Sequence, residues 1–221
     1  MPPGFAADPR LVALGRQIVE GGGLPLELAC ARCHGLEGTG KPAEGAPRLA
    51  GQPQLYLEKQ LEDFAAGSRQ SAKMEPVARA LDAEQRTAVA AYFASLYAAP
   101  YPPPPMGEAA RIQQGGVLSA LGDNARDIRS CELCHADAGV GIGPSFPYLA
   151  GQYADYTAAQ LQAWRTGRRR NDPLGAMAEI AKALTADEIA ALALYFARIR
   201  PPADVIASPI PDEPIPPPPA Q

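Results

Sequence analysis

Two five-residue stretches carry all of the chain's cysteine and histidine chemistry. They are Cys30-Ala31-Arg32-Cys33-His34 and Cys131-Glu132-Leu133-Cys134-His135, and between them they use all four cysteines and both histidines of the 221-residue chain. Cys-x-x-Cys-His is the attachment pattern of a c-type haem. Two thiols three residues apart fit one helical turn and reach the two vinyl groups of a haem as thioethers. The histidine after the second thiol then stands beneath the iron and supplies one axial ligand. Three other readings compete. A structural zinc site needs further Cys or His ligands close by, a thioredoxin-like pair needs a βαβ context, and two disulfides are possible on count alone. Duplication of the whole pentad favours two covalent haems c.

A second axial ligand must come from elsewhere, because both histidines are used. Methionine thioether is the soft ligand that raises the potential of a c-type haem. Of the four methionines, Met1 is terminal and Met106 has no counterpart in the other half, whereas Met74 and Met177 lie about 40 residues after their pentads. Each precedes the last helix of its half. The alternative for both is core filling. The imidazole proton on Nδ1 also needs an acceptor to fix the ring. Pro47 and Pro147 stand in register, and their carbonyls are candidates; a plain turn proline is the alternative.

The elements that must position these residues occur twice. Leu11, Leu14 and Ile18 have helical spacing over 10–22, and Gly21-Gly22-Gly23 stops that helix. Gly35 to Gly40 reads as a plain loop. A helix over 53–66 carries Leu57, Leu61 and Phe64 on one face and ends at Gly67, a short one follows over 75–81, and a last one starts at the N-cap Asp82 and runs to about 98. In the second half Leu149-Ala150-Gly151-Gln152 copies Leu49-Ala50-Gly51-Gln52. Tyr156, Gln160 and Leu161 copy Tyr56, Gln60 and Leu61, and Tyr195-Phe196 copies Tyr92-Phe93. The offset drifts only from 100 to 103. The chain is therefore a tandem duplication, all-α, with domains expected at 1–99 and 108–200, a Pro-rich linker at 100–107 and a Pro-rich extended or disordered tail at 201–221.

Composition narrows the partners. With 47% hydrophobic residues the chain is globular, and a formal charge of −4 argues against nucleic acid. No apolar run is long enough to span a membrane. The start, Met1-Pro2-Pro3-Gly4, lacks the regions of a signal peptide. Since haem attachment normally takes place outside the cytoplasm, a leader or anchor is expected to have been removed. Arg168-Arg169-Arg170 reads either as a docking or propionate-compensating knot or as a solvated loop. Trp164, the only tryptophan, is expected in the core or against a haem. Tyr92 and Tyr195 are expected on the haem side of the last helices.

These features together resemble class I cytochromes c, specifically the dihaem cytochromes of the c4 type. The resemblance rests on the two pentads, the Pro-x-Leu-Ala-Gly-Gln segments at Pro47 and Pro147, the methionines Met74 and Met177 and the Tyr-Phe pairs, and it covers about residues 10–199. It implies two class I cytochrome c domains, each a small helical bundle around one haem, packed with the propionates near their interface. It also implies a periplasmic electron carrier of a respiratory chain, with redox partners such as a terminal oxidase or a dehydrogenase and no catalytic residues of its own. Two rivals remain: a cytochrome subunit of a dehydrogenase or oxidase complex, and a dihaem redox enzyme, which would need an iron without its methionine. The Pro-rich tail and linker depart from the family pattern.

Overall fold

The computed structural model describes residues 8–96, 99–142 and 145–200, so the tail expected at 201–221 lies outside the described residues. Secondary structure among the described residues is helical, with isolated bridges and no strand. No helix there is long and apolar enough to cross a membrane.

The first half contains α1 (Pro9–Val19), α2 (Cys30–His34), α3 (Gln54–Ala66), α4 (Met74–Ala80) and α5 (Ala83–Ser95). The second repeats them as α6 (Ala109–Leu121), α7 (Glu132–His135), α8 (Ala154–Arg165), α9 (Ala176–Ala183) and α10 (Ala186–Arg198). Local chemistry sets the boundaries. Asp8 caps α1 by accepting from the Arg10 amide, and α1 ends at Val19 because Gly21 takes a positive φ of 112°. Both last helices open with a capping box, Asp82 with Gln85 and Thr185 with Glu188.

Each bundle is closed by its first and last helices crossing over glycine. A Cβ on Gly15 would overlap the Ala88 carbonyl, and one on Gly115 would overlap that of Ala191. Only the missing side chain lets the backbones come so near. Tyr92 and Tyr195 put their Cβ atoms at these crossings. Tyr92 then reaches back to donate to the Leu36 carbonyl at 2.9 Å, just after the first pentad. Behind the crossings lie two separate cores. One is built on Val19, Leu81 and Phe93, the other on Ile128, Leu184 and Phe196.

The two bundles dock through their copied polar residues. Gln52 donates to the Tyr148 carbonyl at 2.7 Å and accepts from its amide at 3.0 Å. Gln152 does the same with Arg48, at 2.9 and 3.0 Å. A second layer joins Arg69 to Gln160 and Tyr156 at 2.8 and 2.9 Å, and Arg169 to Gln60 at 3.0 Å. Arg169, the middle of the basic run, is thus buried in the interface, while Arg168 and Arg170 remain exposed. The linker is pinned rather than free. Tyr101 lies between the guanidinium groups of Arg48 and Arg200, at 4.6 and 5.2 Å from the ring centroid, and its hydroxyl meets that of Tyr148. Arg48 and Arg200 also donate to the carbonyls of Ala99 and Pro102.

Candidate haem sites

Each pentad forms a single helical turn, so its two cysteines project toward the same side and its histidine points inward. His34 and His135 are buried, 6% and 7% exposed. Nδ1 of His34 is 3.0 Å from the Pro47 carbonyl, and Nδ1 of His135 is 2.9 Å from that of Pro147. A carbonyl only accepts, so Nδ1 carries the proton and the lone pair lies on Nε2, the nitrogen left for a metal. Burial holds both imidazoles below their ordinary pKa, opposed in part by the proline carbonyl, and so favours the neutral, ligating form.

The glycine loop after the pentad fixes the proline. The Gly38 carbonyl accepts from the amides of Leu49 and Ala50 at 2.8 and 3.1 Å, and the Gly40 amide donates to the His34 carbonyl at 2.8 Å. A Cβ on Gly40 would stand 2.6 Å from the Pro47 carbonyl. Gly139 and Gly141 make the same bonds in the second half. Read as a plain loop in the sequence, this segment is the clamp that places the histidine's acceptor. The only signal for it was the recurrence of glycine at matching distances from each pentad.

Met74 is the first residue of α4 and Met177 the second of α9; both are half-buried and pack against the core of their own half. Side chains upstream hold the turns. Ser71 Oγ accepts from the Met74 amide at 3.2 Å, and Asp172 Oδ2 accepts from those of Met177 and Ala178 at 2.8 and 3.1 Å.

No disulfide joins any two of the four cysteines. Among the described residues no three His, Cys, Asp or Glu side chains gather to hold a metal ion by themselves, which disfavours the zinc reading. The residues do fit a group that brings its own metal and its own acids. Arg48, Arg69 and Arg169 are buried, and none of their guanidinium groups hydrogen-bonds to a carboxylate among the described residues. Arg48 Nε and Trp164 Nε1 are buried donors with no acceptor among the described residues, and Arg169 stacks on Trp164 at 3.8 Å. A haem carries two propionates, the acceptors such donors lack. Trp164 was a sequence candidate for this role; Arg48 was not singled out, because nothing in its local sequence separates it from a surface arginine.

Comparison with known proteins agrees with this chemistry. The family model for cytochrome c matches residues 12–97. A relative described as thiosulfate dehydrogenase electron acceptor, from Stutzerimonas stutzeri, is 46% identical over 81% of this chain and 83% of its own. Reduced recombinant cytochrome c4 from Pseudomonas stutzeri superposes with a TM-score of 0.74 at 33% identity, over 86% of this chain and 98% of that one. A thiosulfate dehydrogenase from Marichromatium purpuratum superposes at 0.76 and 42% identity over 84% of this chain, which spans only 40% of that longer one. The fold and its two pentads define a dihaem class I cytochrome c. Within that class the chain belongs to the cytochrome c4 family. It is an electron-transfer protein that carries two covalent haems c, at Cys30/Cys33 and Cys131/Cys134.

Proposed function

We propose that this cytochrome is the electron acceptor of a thiosulfate-oxidising dehydrogenase and works in the periplasm, passing electrons on to a further redox protein such as a terminal oxidase. The observation that carries the reading is the 46% identity to a relative described as thiosulfate dehydrogenase electron acceptor. The likeness to part of a longer thiosulfate dehydrogenase chain supports it, and favours a stable complex with the enzyme over a freely diffusing carrier. Haem supplies the one-electron iron couple. The chain's own residues do the rest. When haem is bound, His34 and Met74 would ligate one iron, and His135 and Met177 the other. Pro47 and Pro147 accept the Nδ1 proton of each histidine and fix its ring. Arg48, Arg69 and Arg169 would compensate haem propionates at the boundary between domains 1–99 and 108–200, which the 100–107 linker joins, and Trp164 Nε1 would donate to one of them. Two protein ligands to each iron would keep rearrangement on electron transfer small.

The test is anaerobic mixing of the oxidised cytochrome with thiosulfate and catalytic thiosulfate dehydrogenase. Reduction of both haems, two electrons per chain, is expected at a rate proportional to the enzyme. Reduction no faster than with thiosulfate alone would contradict the reading.

A further inference from the structure

The duplicated domains differ in charge where their pentads reach the surface. Around Cys33 stand three exposed cations, Arg32, Lys41 and Lys73. They share one patch. Lys41 Nζ donates to the carbonyl of Arg32, the residue before Cys33, and Lys73 Nζ donates to that of Glu44 at 2.6 Å. Glu44, 3.9 Å from Lys41, is the acid of the patch and offsets one of the three charges. Glu37, in the adjoining loop, is a further exposed acid near the pentad, and with Arg16 and Glu20 it faces the Tyr92 hydroxyl.

All three cations are gone from the second domain. The repeat aligns Arg32 with Leu133. Gly40 and Gly141 make matching bonds to their pentads, so Lys41 aligns with Ile142, and Lys73, just before Met74, aligns with Ala176 before Met177. The second rim carries large apolar side chains beside the acids Glu132 and Asp137: Leu133 is 68% exposed, Phe146 42%, and Leu174, in the insertion that precedes Met177, 99%. One chain thus presents a cationic rim at one haem and a rim of apolar and acidic side chains at the other, on a protein whose formal charge is −4.

We propose that the Arg32–Lys41–Lys73 rim is the docking surface for an acidic redox protein, so that such a partner exchanges electrons through the haem at Cys30 and Cys33 and not through the other. This deepens the electron-carrier reading and rests on it. Charge complementarity carries the argument. The net charge repels an acidic partner at long range, whereas a local cationic patch attracts it within a Debye length, roughly 30 Å at 0.01 M salt and 3 Å at 1 M. An acidic partner is therefore drawn in where cations cluster, as they do beside Cys33. The competing basic site is the exposed pair Arg168 and Arg170.

The probe is a gold electrode coated with carboxylate-terminated alkanethiol, standing in for an acidic protein surface, with the holoprotein first assayed for two haems per chain. Voltammetry reads the amount of electroactive protein bound. The proposal expects binding at 0.01 M salt that is lost at 1 M, about a tenfold drop for Arg32→Glu/Lys41→Glu/Lys73→Glu, and less than a twofold change for Arg168→Glu/Arg170→Glu, on the screening argument above. Lys41→Gln/Lys73→Gln should fall between. On a methyl-terminated coating the triple variant should bind like the parent, showing that its haems and fold are intact. Equal binding of parent and triple variant to the carboxylate coating, or loss with Arg168→Glu/Arg170→Glu instead, would overturn the docking proposal and leave the carrier reading standing. Fewer than two haems per chain would overturn both.

Discussion

Gln52 and Gln152 make the same pair of hydrogen bonds in opposite directions across the domain boundary. Each amide clasps both the N–H and the C=O of one residue of the other domain, Tyr148 or Arg48. The pseudo-twofold of the duplication passes between them. Gln52→Leu leaves two buried groups of Tyr148 without partners, at about 1–3 kcal/mol for each. The expected outcome is weaker docking: calorimetry should show one broad unfolding transition resolve into two. Gln152→Leu should have a comparable effect.

Gly15 tests the helix crossing. Its Cβ position falls on the Ala88 carbonyl, a backbone atom that cannot swing away. Added to Gln52→Leu, in which the two transitions are resolved, Gly15→Ala should destabilise the first domain by about 1–3 kcal/mol, the usual range for overpacking, and leave the second domain's transition in place. Gly115→Ala should reverse the assignment.

The duplication, the register of its landmarks and the helix pattern were legible because they are local. Glycine stops, capping residues and apolar spacing act within a few positions of themselves. Arg69 and Arg169 illustrate what was not legible. Each reads as a loop cation, and only docking of the two bundles buries it on Phe64 or Trp164 and against glutamines about 90 to 110 positions away. Tyr101 is similar: a stiff polyproline run is predictable, but its capture between Arg48 and Arg200 depends on tertiary placement. The axial candidates were read from repetition alone, since a methionine's role depends on what faces it.

Gly40 carries a prediction for the histidine. It holds a φ of 80°, and a side chain there would press on the Pro47 carbonyl that receives the His34 proton. Gly40→Ala should cost about 1–3 kcal/mol through strain at that backbone position. It should also shift the potential of the first haem while leaving the second unchanged, as protein-film voltammetry would show.

Glu188 gives a pH dependence. Hydrogen bonds from Arg126, with help from Thr185, hold its carboxyl at about 2, below the ordinary 4.5. A depressed carboxylate contributes stability that is fully present above the ordinary value and is lost as pH falls through the folded one. The melting temperature of the parent should therefore exceed that of Glu188→Gln at pH 6, and the gap should close between about pH 4.5 and 2. A constant gap across that window would mean that the charge contributes nothing.

The most direct measurement is a potentiometric titration of the holoprotein beside Met74→Ala and Met177→Ala. The account predicts two one-electron steps in the parent. Each variant should move one step down by on the order of 0.1 V, within the roughly 0.8 V span that axial ligands control, and leave the other near its original potential. If either substitution left both steps in place, the methionine would be core filler and the claim of two His/Met haems would fail.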